Sequence, residues 1–227
     1  LLLSQLLANA GIDSIILDRQ DRLTIEARVR AGVLEQGTVD ALEEAGAADR
    51  LHREALVHEG FELAFNGVRH RINVAGLTGK TVTVYGQTEV TKDLFDRREQ
   101  GCQQYYFDVS KVLICDLEIN KSNVFFEKDG QKHQIECDYI AGCDGSRGVS
   151  RGAIPTGKRR LFERTYPFGW LGVLTERPPL SHELIYANHD RGFALASMRS
   201  PHRSRYYVQC GLEDSLIQWP DDRFWEE

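Results

Sequence analysis

The sequence has no run of roughly 18 apolar residues, the length a membrane-spanning helix needs. The opening LLLSQLLANAG is too short for one. It carries no basic residues ahead of it and includes Asn9, so it reads as a helix rather than a signal peptide. C-x-x-C spacing is also missing. The five cysteines, Cys102, Cys115, Cys137, Cys143 and Cys210, are scattered, which argues against a zinc site or a disulfide scaffold and suits a reducing, cytoplasmic compartment. Positive charge is not in excess: the formal net charge is −6, which argues against nucleic acid as a partner. GLTGK has neither the spacing nor the following helix of a phosphate-binding P-loop. Ser146 and Ser150 do not sit in a G-x-S-x-G elbow, and the seven histidines show no spacing suited to a metal.

What is present suffices for a folded chain. The 227 residues are 41% hydrophobic, enough for a real core, and fit one large domain or two smaller ones. Both ends read as cut. Leu1 already lies inside an apolar helical run, and WPDDRFWEE reads as a helix just begun, with Pro220 at its start and acids in its first turn.

Leu1–Ala10 is apolar on nearly every face, as expected of a helix against a sheet, and Asn9-Ala10-Gly11 stops it. SIILDR follows as a short buried strand ending in Asp18. Helix, glycine, strand, acid is the second half of a βαβ unit, and an acid at that strand end holds ribose hydroxyls in dinucleotide-binding folds. The glycine fingerprint itself is absent, so Asp18 is equally an ordinary solvated acid. Residues 33–54 show helical periodicity broken at Gly46. GFELAFNGVRHRINV reads as a hairpin around Asn66-Gly67, and a second hairpin turns at Asp129-Gly130. Between them TVTVYGQ is a strand and TEVTKDLFDRREQG a helix, capped by Thr88 and stopped at Gly101. CDYIAGCDGSRGVSR is expected to begin as a buried strand, turn at Asp144-Gly145 and restart with Arg147 and Arg151 four residues apart, which suggest an anionic ligand. After residue 160, FGWLGVLTE, HELIYANHD, GFALASMRS and SRYYVQC form an antiparallel sheet. The expected class is mixed α/β (α+β), with one domain over 1–160 and a second, mostly β, over 161–227.

Several groups could carry chemistry. Arg28 and Arg30 alternate in an extended segment before Ala31, Gly32 and a helix expected at Val33, an arrangement suited to clamping phosphate or carboxylate as well as to a solvated basic turn. Gln87 opens a helix, where its amide can face a heterocycle. Ser197 and Arg199 are two apart on one strand and face the same side, where they can hold a carboxylate. Tyr186 and the Tyr206-Tyr207 pair lie on other strands of the same sheet. Each is also common on a wet sheet face.

Taken together, RVRAGVLEQGTVDALEEAG, KTVTVYGQTEVTKDL, CDYIAGCDGSRGVSR, YPFGWLGVL, HELIYANHDRGFALASMRS and SRYYVQ resemble the single-component FAD-dependent aromatic hydroxylases, in order and with little insertion. The resemblance implies a Rossmann-like FAD-binding domain followed by an antiparallel substrate-binding sheet. It implies hydroxylation of 4-hydroxybenzoate to 3,4-dihydroxybenzoate with O2 and NADPH or NADH, by a homodimer in the full-length protein, with no membrane partner. By the same resemblance Asp18, Arg28, Arg30, Ala31, Gly32, Val33 and Gln87 contact FAD, and Asp144, Gly145 and Arg151 serve FAD and the nicotinamide. Tyr186 hydrogen-bonds the substrate phenol, and Ser197, Arg199 and Tyr207 bind its carboxylate. Residues 19–24 and the Ser146-Arg147 pair depart from the commonest family pattern. A hydroxylase of another aromatic acid, an NAD-dependent dehydrogenase and a non-catalytic remnant are the alternatives.

Overall fold

The computed structural model describes residues 1–28, 30–101, 104–118 and 121–227, so Val29, between Arg28 and Arg30, and Cys102 lie outside the described residues. The chain opens with α1 (Leu2–Asn9), β1 (Ile15–Leu17), α2 (Arg22–Ala27), β2 (Val33–Glu35), α3 (Gln36–Glu44), α4 (Asp49–Glu54) and β3 (Leu56–His58). A hairpin, β4 (Phe61–Phe65) and β5 (Val68–Ile72), leads through α5 (Val74–Thr78) and β6 (Val82–Val84) to α6 (Gln87–Glu99). Next come β7 (Gln104–Tyr106), β8 (Ser110–Cys115), β9 (Ser122–Lys128), β10 (Gln131–Cys137) and α7 (Val149–Ala153). The last part holds β11 (Gly169–Thr175), β12 (Leu184–His189), β13 (Gly192–Ser200), β14 (Arg203–Cys210) and α8 (Asp221–Glu226).

Four sheets result. β1 pairs β7 in parallel, β2-β6-β3 and β10-β9-β8 are antiparallel, and a six-stranded sheet runs β11-β14-β13-β12-β4-β5. Both hairpin turns form as the sequence requires. Asn66 and Gly67 have φ of 52° and 75°, and Asp129 and Gly130 of 52° and 74°, the left-handed pair that a two-residue turn needs. The large sheet is not confined to residues after 160: β4 pairs β12 in parallel, Leu184 opposite Phe61. The hairpin at 61–72 is therefore two of its six strands.

Other expectations are corrected. Val33 begins no helix; Val33–Glu35 is a strand laddered to β6, and the ladder overrides a helical pattern that starts in earnest at Gln36. Thr88 does not cap α6. Gly86 holds the cap position, and the Thr88 hydroxyl donates to the Arg28 carbonyl at 2.7 Å. The stretch after Cys137 is not a buried strand: it pairs with no described strand, and Tyr139 is 92% exposed. α2 went unread, although Asp21 caps it by accepting from the Thr24 amide at 2.8 Å. Arg22 of α2 ties it to α6 through Asp96 at 2.7 Å and Glu99, and pairs with Glu26 at 2.5 Å.

The main core lies between α3, α4 and α6, where Leu42, Leu51, Tyr85 and Leu94 are buried with Leu2 and Leu6 against them. α1 buries Ser4 and Gln5, not only leucines. The reason is Arg98, fully enclosed, which donates to Ser4 Oγ and to the Tyr105 hydroxyl at 2.7 Å. A buried guanidinium needs polar partners, and α1 turns a polar edge toward it.

Candidate active site at the seam between the large sheet and the Arg28–Gly32 loop

Register decides which side chains share a face of the large sheet. Tyr186 lies opposite Leu195, Leu195 opposite Tyr207, and Tyr207 opposite Gly172. Paired residues project to the same side, so Tyr186 and Tyr207 stand on one face two strands apart, about 10 Å between backbones. Ser197 lies opposite Arg205, two positions along from the Leu195–Tyr207 pair, and so joins that face. Gly172 makes room for the Tyr207 ring: a Cβ there would sit 3.1 Å from Tyr207 Cε1. The Arg205 guanidinium covers the same ring, 4.4 Å from its centroid.

Arg199 departs from simple alternation. The β13–β14 register shifts between Met198 and Ser200, so Arg199 sits at a bulge without a ladder partner. Its Nη2 donates to the Arg30 carbonyl at 3.0 Å, and Arg205 Nη1 donates to the same oxygen at 2.7 Å. Burial, and then the neighbouring charge of Arg205, press the Arg199 pKa down from its usual value. Gly32 is required here: a Cβ would overlap Arg199 Nη1 and lie 3.2 Å from Gly86 Cα. The loop is fixed from behind, where Tyr85 N donates to the Gly32 carbonyl at 3.0 Å and Gln87 N to that of Ala31 at 2.9 Å. The structure thus gathers Arg28, Arg30, Ala31, Gly32, Gln87 and Arg199 at one seam, with Val33 leading away as the start of β2. Among the described residues, Arg28, Arg30, Arg199 and Arg205 have no carboxylate partner. Arg199 and Arg205 bring two guanidinium groups to one carbonyl, and a guanidinium fork is suited to an anion.

Tyr186 packs edge-on to Phe61, with centroids 5.5 Å apart, and tilts against Phe193 at 6.2 Å. Burial raises its phenol pKa, keeping the hydroxyl protonated. Ser197 already donates to the Arg205 carbonyl at 3.0 Å.

The remaining candidates lie elsewhere. Asp18 follows β1; its amide donates to the Tyr106 carbonyl at 2.9 Å, and its carboxylate accepts from Gln20 N at 2.9 Å. Asp144 works as a cap: its Oδ2 accepts from Ser150 N at 2.9 Å at the start of α7. Burial pushes its pKa up, but the bonds from Ser150 outweigh this and hold it below the usual carboxylate value. Gly148 carries no Cβ because one would overlap that carboxyl, and Gly145 turns at φ 73°. Arg151 on α7 lines a separate cleft with Thr156, Arg159 and Leu161. Arg205 escaped the sequence reading, although its position two before Tyr207 on one strand was the available signal. His58 is 2% exposed, and neither of its ring nitrogens is hydrogen-bonded among the described residues, a burial that no spacing in the sequence signals.

Tyr186, Ser197 and Tyr207 thus share one face of the large sheet, and Arg199 and Arg205 reach the backbone of the glycine-bearing segment beside it. The chain belongs to the FAD binding domain family, whose model matches residues 1–227. It is 51% identical over 228 residues to p-hydroxybenzoate hydroxylase from Acinetobacter baylyi, covering all of this chain and 56% of that protein. The chain therefore spans a little over half the length of that curated relative. Among solved structures it is similar to p-nitrophenol 4-monooxygenase from Pseudomonas putida, with a TM-score of 0.84 and 16% identity over 98% of this chain and 58% of that one. A probable FAD-dependent monooxygenase from Pseudomonas aeruginosa gives 0.76 at 16% identity, over 93% of this chain and 57% of that one. These two likenesses show the fold. The resemblance to FAD-dependent aromatic hydroxylases read from the sequence is borne out.

Proposed function

We propose that this chain supplies the FAD- and substrate-binding part of a monooxygenase that converts 4-hydroxybenzoate to 3,4-dihydroxybenzoate, using O2 and NADPH or NADH. The observation that carries this reading is the seam: Tyr186, Ser197 and Tyr207 on one sheet face, with Arg199 lodged against Gly32. The 51% identity to a p-hydroxybenzoate hydroxylase supports it.

The residues present fit FAD. Arg28 and Arg30 are without carboxylate partners among the described residues, and Gly32 leaves room for the Arg199 guanidinium beside them. Arg28, Arg30, Ala31, Gly32, Val33 and Gln87 would line it, Asp18 would hold its ribose, and Asp144, Gly145 and Arg151 would serve it and the nicotinamide. Bound FAD, once reduced, supplies the activated oxygen.

The chain's own residues then hold the substrate. Arg199 uses one of its five N–H groups on the Arg30 carbonyl, leaving the others for a carboxylate. Tyr207 adds a hydroxyl, and Ser197 joins by exchanging its bond to the Arg205 carbonyl for one to the substrate. Tyr186 hydrogen-bonds the phenol at the other end, where it relays the proton that must leave to make the ring electron-rich. Anchoring both ends fixes which ring carbon is presented. The division into a cofactor domain over 1–160 and a substrate sheet over 161–227, with 61–72 lent to the sheet, belongs to this proposal, as do a cytoplasmic location and a homodimer. No described helix is long and apolar enough to cross a membrane.

The test is oxidation of NADPH and of NADH by the full-length protein, with and without 4-hydroxybenzoate, with product identification. Strong stimulation with 3,4-dihydroxybenzoate formed is expected. Bound flavin without stimulation would overturn the choice of substrate.

A further inference from the structure

We propose that Tyr85, held by Asp93 and Arg50, is the positioning residue that sets Arg199 in the substrate-carboxylate site, an inference that rests on the site reading given above. Tyr85 directly follows β6 and is 4% exposed. Its backbone amide and that of Gln87 carry the loop carbonyls of Gly32 and Ala31. Across the loop, Arg199 donates to the Arg30 carbonyl at 3.0 Å. At Gly32 the packing leaves no slack: a Cβ there would overlap Arg199 Nη1 and lie 3.2 Å from Gly86 Cα, so the guanidinium and the Gly86 backbone crowd the same side of this residue. A displacement of residues 85–87 therefore passes directly to the guanidinium.

The Tyr85 ring cannot move freely. Its hydroxyl donates to Asp93 Oδ2 at 2.6 Å, and Asp93 Oδ1 accepts from Arg50 Nε at 2.7 Å. Arg50 also pairs with Glu89 and donates through Nη2 to the Glu89 carbonyl at 3.1 Å, which locks α4 to the first turns of α6. Burial, then the hydrogen bond to Asp93 and its charge, hold the Tyr85 phenol far above its usual pKa, so it remains a donor at every working pH. None of Tyr85, Asp93 or Arg50 has a place in the substrate face. They act through Gly32 and Arg199.

The experiment uses the full-length protein with FAD bound. Calorimetric titration gives Kd for 4-hydroxybenzoate and for its methyl ester, which lacks the carboxylate. Tyr85→Phe removes one hydroxyl and keeps the ring. The expected result is a Kd for the acid raised about five- to tenfold, a smaller change for the ester, and full FAD content. If Tyr85→Phe is not recovered folded, Asp93→Asn is read the same way, since it keeps an acceptor for Tyr85 but gives up the charge paired with Arg50. Acid and ester weakened alike would reveal general loosening and overturn the positioning role. So would unchanged acid binding where Arg199→Ala weakens it. Unchanged acid binding in Arg199→Ala would instead overturn the substrate-site reading itself.

Discussion

Arg199 reaches the seam from a bulge, so no ladder position constrains it, and its guanidinium is left with donors to spare after Arg30. A charged hydrogen bond of this kind is worth about 1.5–3 kcal/mol. Arg199→Ala in the full-length protein is expected to raise the 4-hydroxybenzoate Kd about tenfold or more, read by flavin-absorbance titration. Tyr186 differs in kind. Its ring is wedged against Phe61 and Phe193 and its phenol is kept protonated by burial, so Tyr186→Phe preserves the packing and removes only the hydroxyl. Slower hydroxylation in rapid mixing, with substrate Kd little changed, is the expected outcome; an unaltered rate would remove Tyr186 from the proton path.

At the scale of elements, two glycines make opposite predictions. Gly32→Ala forces a methyl into Arg199 and should weaken substrate binding as well as lower Tm. Gly37, in the first turn of α3, has nothing within 4 Å of an added Cβ, so Gly37→Ala should raise stability by about 0.5–1 kcal/mol. Thermal melts of the pair check both. The elements also show what the sequence could reveal. The turns at Asn66-Gly67 and Asp129-Gly130 were legible because φ is a local property that Asn, Asp and Gly permit. The four strands after residue 160 were legible from alternation. The adoption of β4 and β5 into their sheet was not, since a parallel pairing between distant segments leaves no local mark. Val33–Glu35 was misread because its three residues continue a helical period that only the ladder to β6 interrupts. In the site, Ser197 and Arg199 stood out as a pair from strand alternation, while the roles expected of Tyr186, Ser197, Arg199 and Tyr207 came from a family likeness. The roles of Gly32 and Arg205 against Arg199 and Arg30 needed contacts between residues some 170 apart, which periodicity cannot supply.

For the whole molecule, pH links these parts to stability. His58 has its pKa lowered by burial, partly offset by Glu183, so below about pH 6.5 the unfolded chain binds a proton that the fold refuses. Stability then falls as pH drops through that value, by at most about 1.4 kcal/mol per pH unit from this one group. Glu183, bonded by Arg71 at 2.7 and 2.8 Å, has a lowered pKa; its contribution is present above the ordinary carboxylate value and is lost at more acidic pH, as the lowered pKa is crossed. Tm should decline from pH 7 to pH 5, and His58→Gln should flatten that segment in a melting series. The large sheet has a consequence for synthesis as well. β4 meets its parallel neighbour β12 only after roughly 120 more residues have been made, which at ordinary elongation rates is a wait of about 6–25 s. Throughout that interval FELAF presents an unpaired edge with two phenylalanines, a natural target for holdase chaperones on the ribosome and the segment from which misassembly in an overproducing cell would start.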